Sequence, residues 1–100
     1  MEATTELLGK VTNMGMLGYD VQKIINILDI EDEEGFIKEF NDKKSLIAKA
    51  YQKGVDKSDY IIDSKLYELA KTGDKKAIEM YEKRKNRDVP RKNKHNLFAK

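Results

Sequence analysis

The residues best suited to chemistry lie at the end of the chain. The stretch KRKNRDVPRKNKHNLFAK, residues 83–100, holds eight basic side chains against the single acidic Asp88. A cationic segment of that density displaces counterions from a polyanion, which gives affinity that is independent of sequence and falls steeply with salt. Lys83, Arg84, Lys85, Arg87, Arg91, Lys92 and Lys94 are its candidate nucleic-acid contacts. Two other uses of the same segment stay open. Leu97 and Phe98 can anchor in a protein partner while the lysines meet its acidic face, or the segment serves solubility alone. A second cluster, Glu31, Asp32, Glu33 and Glu34, offers the oxygen ligands that hard cations prefer. Its spacing is not that of a calcium loop, and consecutive helical residues point in different directions. Acidic side chains stabilising a helix N-terminus are the preferred reading, and no metal site is expected. Tyr51, Tyr60, Tyr67 and Tyr81 invite comparison with a base-stacking platform, but a helical stripe of aromatics is more simply core or interface. No nucleophile and base are arranged together, so the chain is read as not an enzyme and no cofactor is expected.

Composition narrows the class. One hundred residues suit one small domain with a modest core, so self-association is a live source of stability. With 39% hydrophobic and 38% charged residues, one Pro and no Trp, the balance is that of a charged all-α protein. There is no cysteine, which excludes disulfides and thiolate metal sites, and the lone His95 cannot form a histidine cluster. No apolar run approaches the roughly 20 residues that span a bilayer. The start, MEATTELLGK, lacks the basic-then-apolar order of a signal peptide. The expectation is a soluble intracellular protein with no membrane partner. The net charge of +2 conceals an asymmetry: residues 1–82 carry 12 basic and 17 acidic groups, so this part is net negative and the whole positive excess is C-terminal.

Helical periodicity supplies the elements that would position these residues. Leu7, Leu8, Val11, Met14 and Leu17 mark a first amphipathic helix, capped by Thr4 or Thr5 and weakened at its end by Gly15 and Gly18. Asp20 caps a second, short helix with Val21, Ile24, Ile25 and Leu28 on one face. Asp29 or Asp32 caps a third, with Phe36, Ile37 and Phe40 inward, and a turn of roughly three residues makes the pair a helix-turn-helix. Asp42 then opens a long helix, Lys43 to Lys71, whose apolar phase from Leu46 through Ile47, Ala50, Tyr51, Val55, Ile61, Ile62, Leu66, Leu69 and Ala70 survives Gly54, where a bend is possible. Thr72, Gly73 and Asp74 read as stop, left-handed residue and fresh N-cap. A last helix with Ala77, Ile78 and Tyr81 inward runs to about Arg87, and Pro90 ends it. The predicted organisation is a helical domain, 1–87, made of a head (1–41) and an αα-hairpin (42–87), followed by a basic extended tail, 88–100.

The hairpin segment YELAKTGDKKAIEMYEKRK, through Leu69, Ala70, Gly73, Asp74, Ala77 and Ile78, resembles the second helical hairpin of phage terminase small subunits, the DNA-packaging proteins. Tyr51, Gly54 and Leu66 match that family's aromatic, glycine and leucine on the long helix, and the segment from Asp20 to Phe40 looks like its helix-turn-helix head. Any tight αα-hairpin favours the same Gly-Asp turn. The resemblance implies a phage protein of host cytoplasm or virion that binds double-stranded DNA, assembles with itself through the hairpin helices, and presents DNA to a packaging motor. Tyr51, Ile62 and Leu66 are then candidate contacts between copies, with Leu97 and Phe98 toward a partner. In one respect the sequence departs from the family. The start of the third helix is EDEE, where a recognition helix meets bases and phosphates, and its carboxylates repel DNA. Lys38, Lys43 and Lys44, near that helix's far end, are the alternative contacts of the head. The competing reading is a virion structural or adaptor protein whose basic tail docks on another protein.

Overall fold

The structure is a computed structural model, and it describes residues 2–88. The protein is all-α. Among the described residues it forms five helices and no strand: α1 (Thr5–Leu17), α2 (Val21–Leu28), α3 (Glu33–Asn41), α4 (Leu46–Lys71) and α5 (Lys75–Asp88). The chain divides into two compact units, Met1–Tyr60 and Ile61–Lys100, so the boundary falls inside α4 and the first half of that helix belongs with the head.

In the first unit the helix ends are set by local hydrogen bonds. The Thr4 hydroxyl accepts from the Leu7 amide at 3.1 Å, Asp20 accepts from Lys23 at 2.8 Å, and Asp32 accepts from Gly35 at 3.0 Å. Each satisfies one of the orphan donors of a helix N-terminus. Gly18 ends α1 with φ 70°, and Asp29 ends α2 with φ 53°, the one non-glycine residue in the left-handed region among those described. Asp29 is therefore a C-cap, and Asp32 alone caps α3. The start of α4 differs from expectation. Asp42 closes α3 through its own amide, which donates to the Glu39 carbonyl, and its carboxylate accepts from Lys44. The cap of α4 is Ser45, whose Oγ accepts from the Ala48 amide at 3.0 Å while donating to the Glu39 carbonyl at 2.5 Å. The helix thus begins at Leu46, three residues later than the periodicity suggests.

Val11, Ile24, Ile25, Phe36 and Ile47 form the buried core, with Leu7, Leu8, Met14, Tyr19, Phe40 and Tyr51 packed around it. One residue from α1, two from α2, one from α3 and one from α4 converge there, so all four helices of this unit are tied to a single apolar centre. The crossing of α1 and α4 depends on two glycines. A Cβ on Gly15 would lie 2.2 Å from the Tyr51 carbonyl oxygen, and one on Gly54 would lie 1.9 Å from the Thr12 carbonyl oxygen. The helix α4 runs unbroken through Gly54, whose missing side chain serves close packing.

The second unit, in its described part, is the rear half of α4 and α5. Gly73 takes φ 91° at the turn, and Asp74 accepts from the Ala77 amide at 3.0 Å. Ala77 is buried, and the Tyr67 and Tyr81 rings meet at 5.7 Å. Ile61, Ile62, Leu69 and Ile78 stay exposed, at 51, 42, 47 and 39%. Their apolar phase is real, but a pair of helices covers only the stripe where they face each other.

Candidate nucleic-acid interface

The basic residues distribute over separate parts of the fold. Lys38 is exposed on α3, and Lys43 and Lys44 are exposed in the turn that follows it. They flank the C-terminal end of a nine-residue helix whose opposite end carries Glu31, Asp32, Glu33 and Glu34. At about 1.5 Å per residue, α3 separates the two clusters by roughly 13 Å. The acidic cluster is accounted for structurally. Asp32 is the cap, Glu33 and Glu34 sit in the first turn against the positive end of the helix, and Gly35 leaves room for the Asp32 carboxylate, which a Cβ there would meet at 2.1 Å. Among the described residues no group of three or more His, Cys, Asp or Glu could hold a metal ion.

In the second unit Lys83 and Lys85 are exposed on α5. Arg84 is held differently. Its Nε donates to Asp63 Oδ1 at 2.5 Å, with the side chains only 18 and 34% accessible. Asp63 lies on α4, so this charge-assisted bond fastens the two helices of the hairpin together. Arg84 is thus a hairpin fastener at a position where the sequence suggests a phosphate contact. Arg87 lies in the last turn of α5. Arg91, Lys92, Lys94, Leu97 and Phe98 lie outside the described residues, as does the extended-tail assignment for nearly all of 88–100.

The tyrosines divide as follows. Tyr51 is half-buried, its hydroxyl donating to the Tyr19 carbonyl at 2.7 Å and its ring edge-to-face with Phe40 at 4.8 Å. Burial raises the Tyr51 phenol above its ordinary value, and the carboxylate of Asp20 adds to the effect. Tyr67 and Tyr81 pair within the hairpin, while Tyr60 is 74% exposed. Of the suggested contacts between copies, Ile62 is exposed, Leu66 half-buried and Tyr51 engaged in the head.

Sequence reasoning passed over Lys49, Lys53 and Lys57. These are spaced four apart on α4, all exposed, and none takes part in an ion pair among the described residues. The four-residue spacing places them along one face and was available as a signal. No protein-family model matches the chain, and comparison with curated proteins and with solved structures finds no match. No helix among the described residues is long and apolar enough to cross a membrane.

Proposed function

We propose that the chain is a non-enzymatic, phage-type DNA-binding protein that acts as an oligomer, the role implied by its resemblance to terminase small subunits. One observation carries the reading: eight of the 20 basic residues fall in the last 18 positions, on a chain whose remainder is net acidic. Duplex DNA, with a negative charge about every 1.7 Å of its axis, is the natural partner of such a segment. Lys83 and Lys85, exposed on α5, extend the cationic stretch into the described residues, with Lys38, Lys43 and Lys44 as a separate contact on the head. Presentation of that DNA to a packaging motor is part of the same proposal. Self-association draws support from the exposed Ile61, Ile62, Leu69 and Ile78 of the second unit. A helical pair that leaves such residues uncovered gains by burying them against another copy, at about 25 cal/mol per Å² removed from water.

The test is a titration with fluorescent duplex DNA at about 50 and 200 mM salt, comparing the full chain with a chain ending at Glu82 and with the Arg84→Met variant, which separates loss of the hairpin bond from loss of the basic segment. The expected result is binding by the full chain that weakens at least tenfold across that range and is lost on truncation. Equal binding by both chains moves the contact to the lysines of the head. Absence of binding by either favours the second reading, a virion structural or adaptor protein that docks through the same exposed apolar side chains and its basic tail.

A further inference from the structure

A depression of about 520 Å³ opens at the corner where α3 hands over to α4, lined by Phe40, Lys43, Ala48, Lys49, Tyr51 and Gln52. Its volume falls within the roughly 300–1,000 Å³ of small-molecule sites. Two features of the lining are unusual for an idle surface dent. The first is a fixed aromatic wall. Phe40 and Tyr51 meet edge-to-face, and the Tyr51 hydroxyl is committed to the Tyr19 carbonyl, so the ring is held at both its edge and its tip. The second is a pair of exposed lysines, Lys43 and Lys49, neither of which takes part in an ion pair among the described residues. Gln52 donates its amide N–H to Asp56 at 3.0 Å, which leaves the amide oxygen as an acceptor.

We propose that this corner binds a nucleotide unit, a planar ring stacked on the Phe40–Tyr51 wall with its phosphate between Lys43 and Lys49. Stacking on aromatic side chains tolerates any base, because every base has a π-face. Ammonium groups serve as point charges for phosphate. The Gln52 oxygen is placed to accept from an N–H on the ring edge. The lining is confined to residues 40–52, which suits a compact ring-and-phosphate ligand better than a peptide, whose extended backbone needs a groove that continues over several residues. The shared chemistry admits two sources, a free nucleotide or an exposed base of a single strand. The site is independent of the tail, and shares only Lys43 with the head contact proposed for duplex DNA.

The test is amide NMR on the full-length ¹⁵N-labelled chain, titrated with adenosine 5′-monophosphate, with adenosine and with inorganic phosphate. The expected result is a set of saturable shifts centred on Phe40, Lys43, Ala48, Lys49, Tyr51 and Gln52, with the mononucleotide binding more tightly than either fragment. The K43Q/K49Q double variant, which alters only exposed side chains, weakens that binding about tenfold or more while the rest of the spectrum is retained. A short single-stranded oligonucleotide that binds the same residues more tightly than the mononucleotide identifies a strand as the source, and equal affinity identifies the free nucleotide. Shifts no stronger for the mononucleotide than for phosphate, shifts indifferent to K43Q/K49Q, or a response to an acidic peptide alone overturn the proposal. Duplex binding that depends on residues 83–100 in a chain showing no response at this corner overturns it too, and leaves the DNA-binding reading in place.

Discussion

Gly54 of α4 faces the backbone of Thr12 in α1 so closely that a Cβ at that position would lie 1.9 Å from the Thr12 carbonyl oxygen. With Gly15 against the Tyr51 carbonyl, it sets how near the two helices come. An alanine in mid-helix normally gains about 1 kcal/mol over glycine. At Gly54 that gain is outweighed, because the obstructing atoms are backbone and cannot rotate away. Gly54→Ala is expected to destabilise the first unit by about 2 kcal/mol. Gly9 lies in α1 with nothing within 4 Å of its would-be Cβ, so Gly9→Ala stabilises by about 0.5–1 kcal/mol. Urea denaturation followed by circular dichroism separates the two, and a stabilised Gly54→Ala would show the crossing to be looser than described.

Removing the Tyr51 hydroxyl tests its bond to Tyr19. Tyr51→Phe keeps the ring against Phe40 and is expected to cost about 1 kcal/mol at neutral pH. The pH dependence has a definite sign. Because burial raises the folded-state phenol, the unfolded chain ionises first as pH climbs past 10.0, and the native state then holds more protons. The stability contribution is therefore complete below pH 10 and is lost as pH rises through the folded-state value. The difference between wild type and Tyr51→Phe should shrink above pH 10, and a constant difference in denaturation midpoints there would refute the account.

The Arg84–Asp63 bond is the specific tie of the hairpin. Arg84→Met retains much of the stem's packing and loses the bond, for an expected cost of about 1 kcal/mol after solvent screening of a partly accessible pair. Arg84→Lys recovers little, because an ammonium lacks the guanidinium geometry. Full rescue by lysine in thermal melts would make the contact a general charge effect.

The proposed self-association makes a further prediction. Ile62→Glu places a charge among exposed side chains without touching a buried one, so helicity is unchanged while the mass measured by light scattering falls toward that of the monomer. An unaltered mass would move the contact between copies elsewhere.

Much of the helical frame is legible in the sequence because caps are local. Asp20, Asp32 and Asp74 accept from amides three residues on, and Gly73 is left-handed as its turn requires. The start of α4 is misread because two suitable residues compete: Asp42 is engaged in ending α3, and Ser45 gains a second bond to Glu39. The roles of Gly15 and Gly54 are decided by another helix, which periodicity does not see. The lysines of the candidate site are visible in the composition. The diversion of Arg84 to a residue 21 positions earlier, and the meeting of Lys43, Lys49 and an aromatic wall at one corner, arise from packing alone.

The uneven distribution of buried side chains has a practical outcome. Five of them fasten the first unit, whereas Ala77 is the only one described in the second. A single continuous helix is therefore clamped firmly over its opening turns and lightly over its closing ones, so its cooperativity need not extend along its whole length. Within the described residues, mild trypsin treatment should cut at Lys65, Lys71, Lys75 or Lys76 before any site in the first unit and leave a resistant N-terminal fragment that keeps α1, α2, α3 and the front of α4.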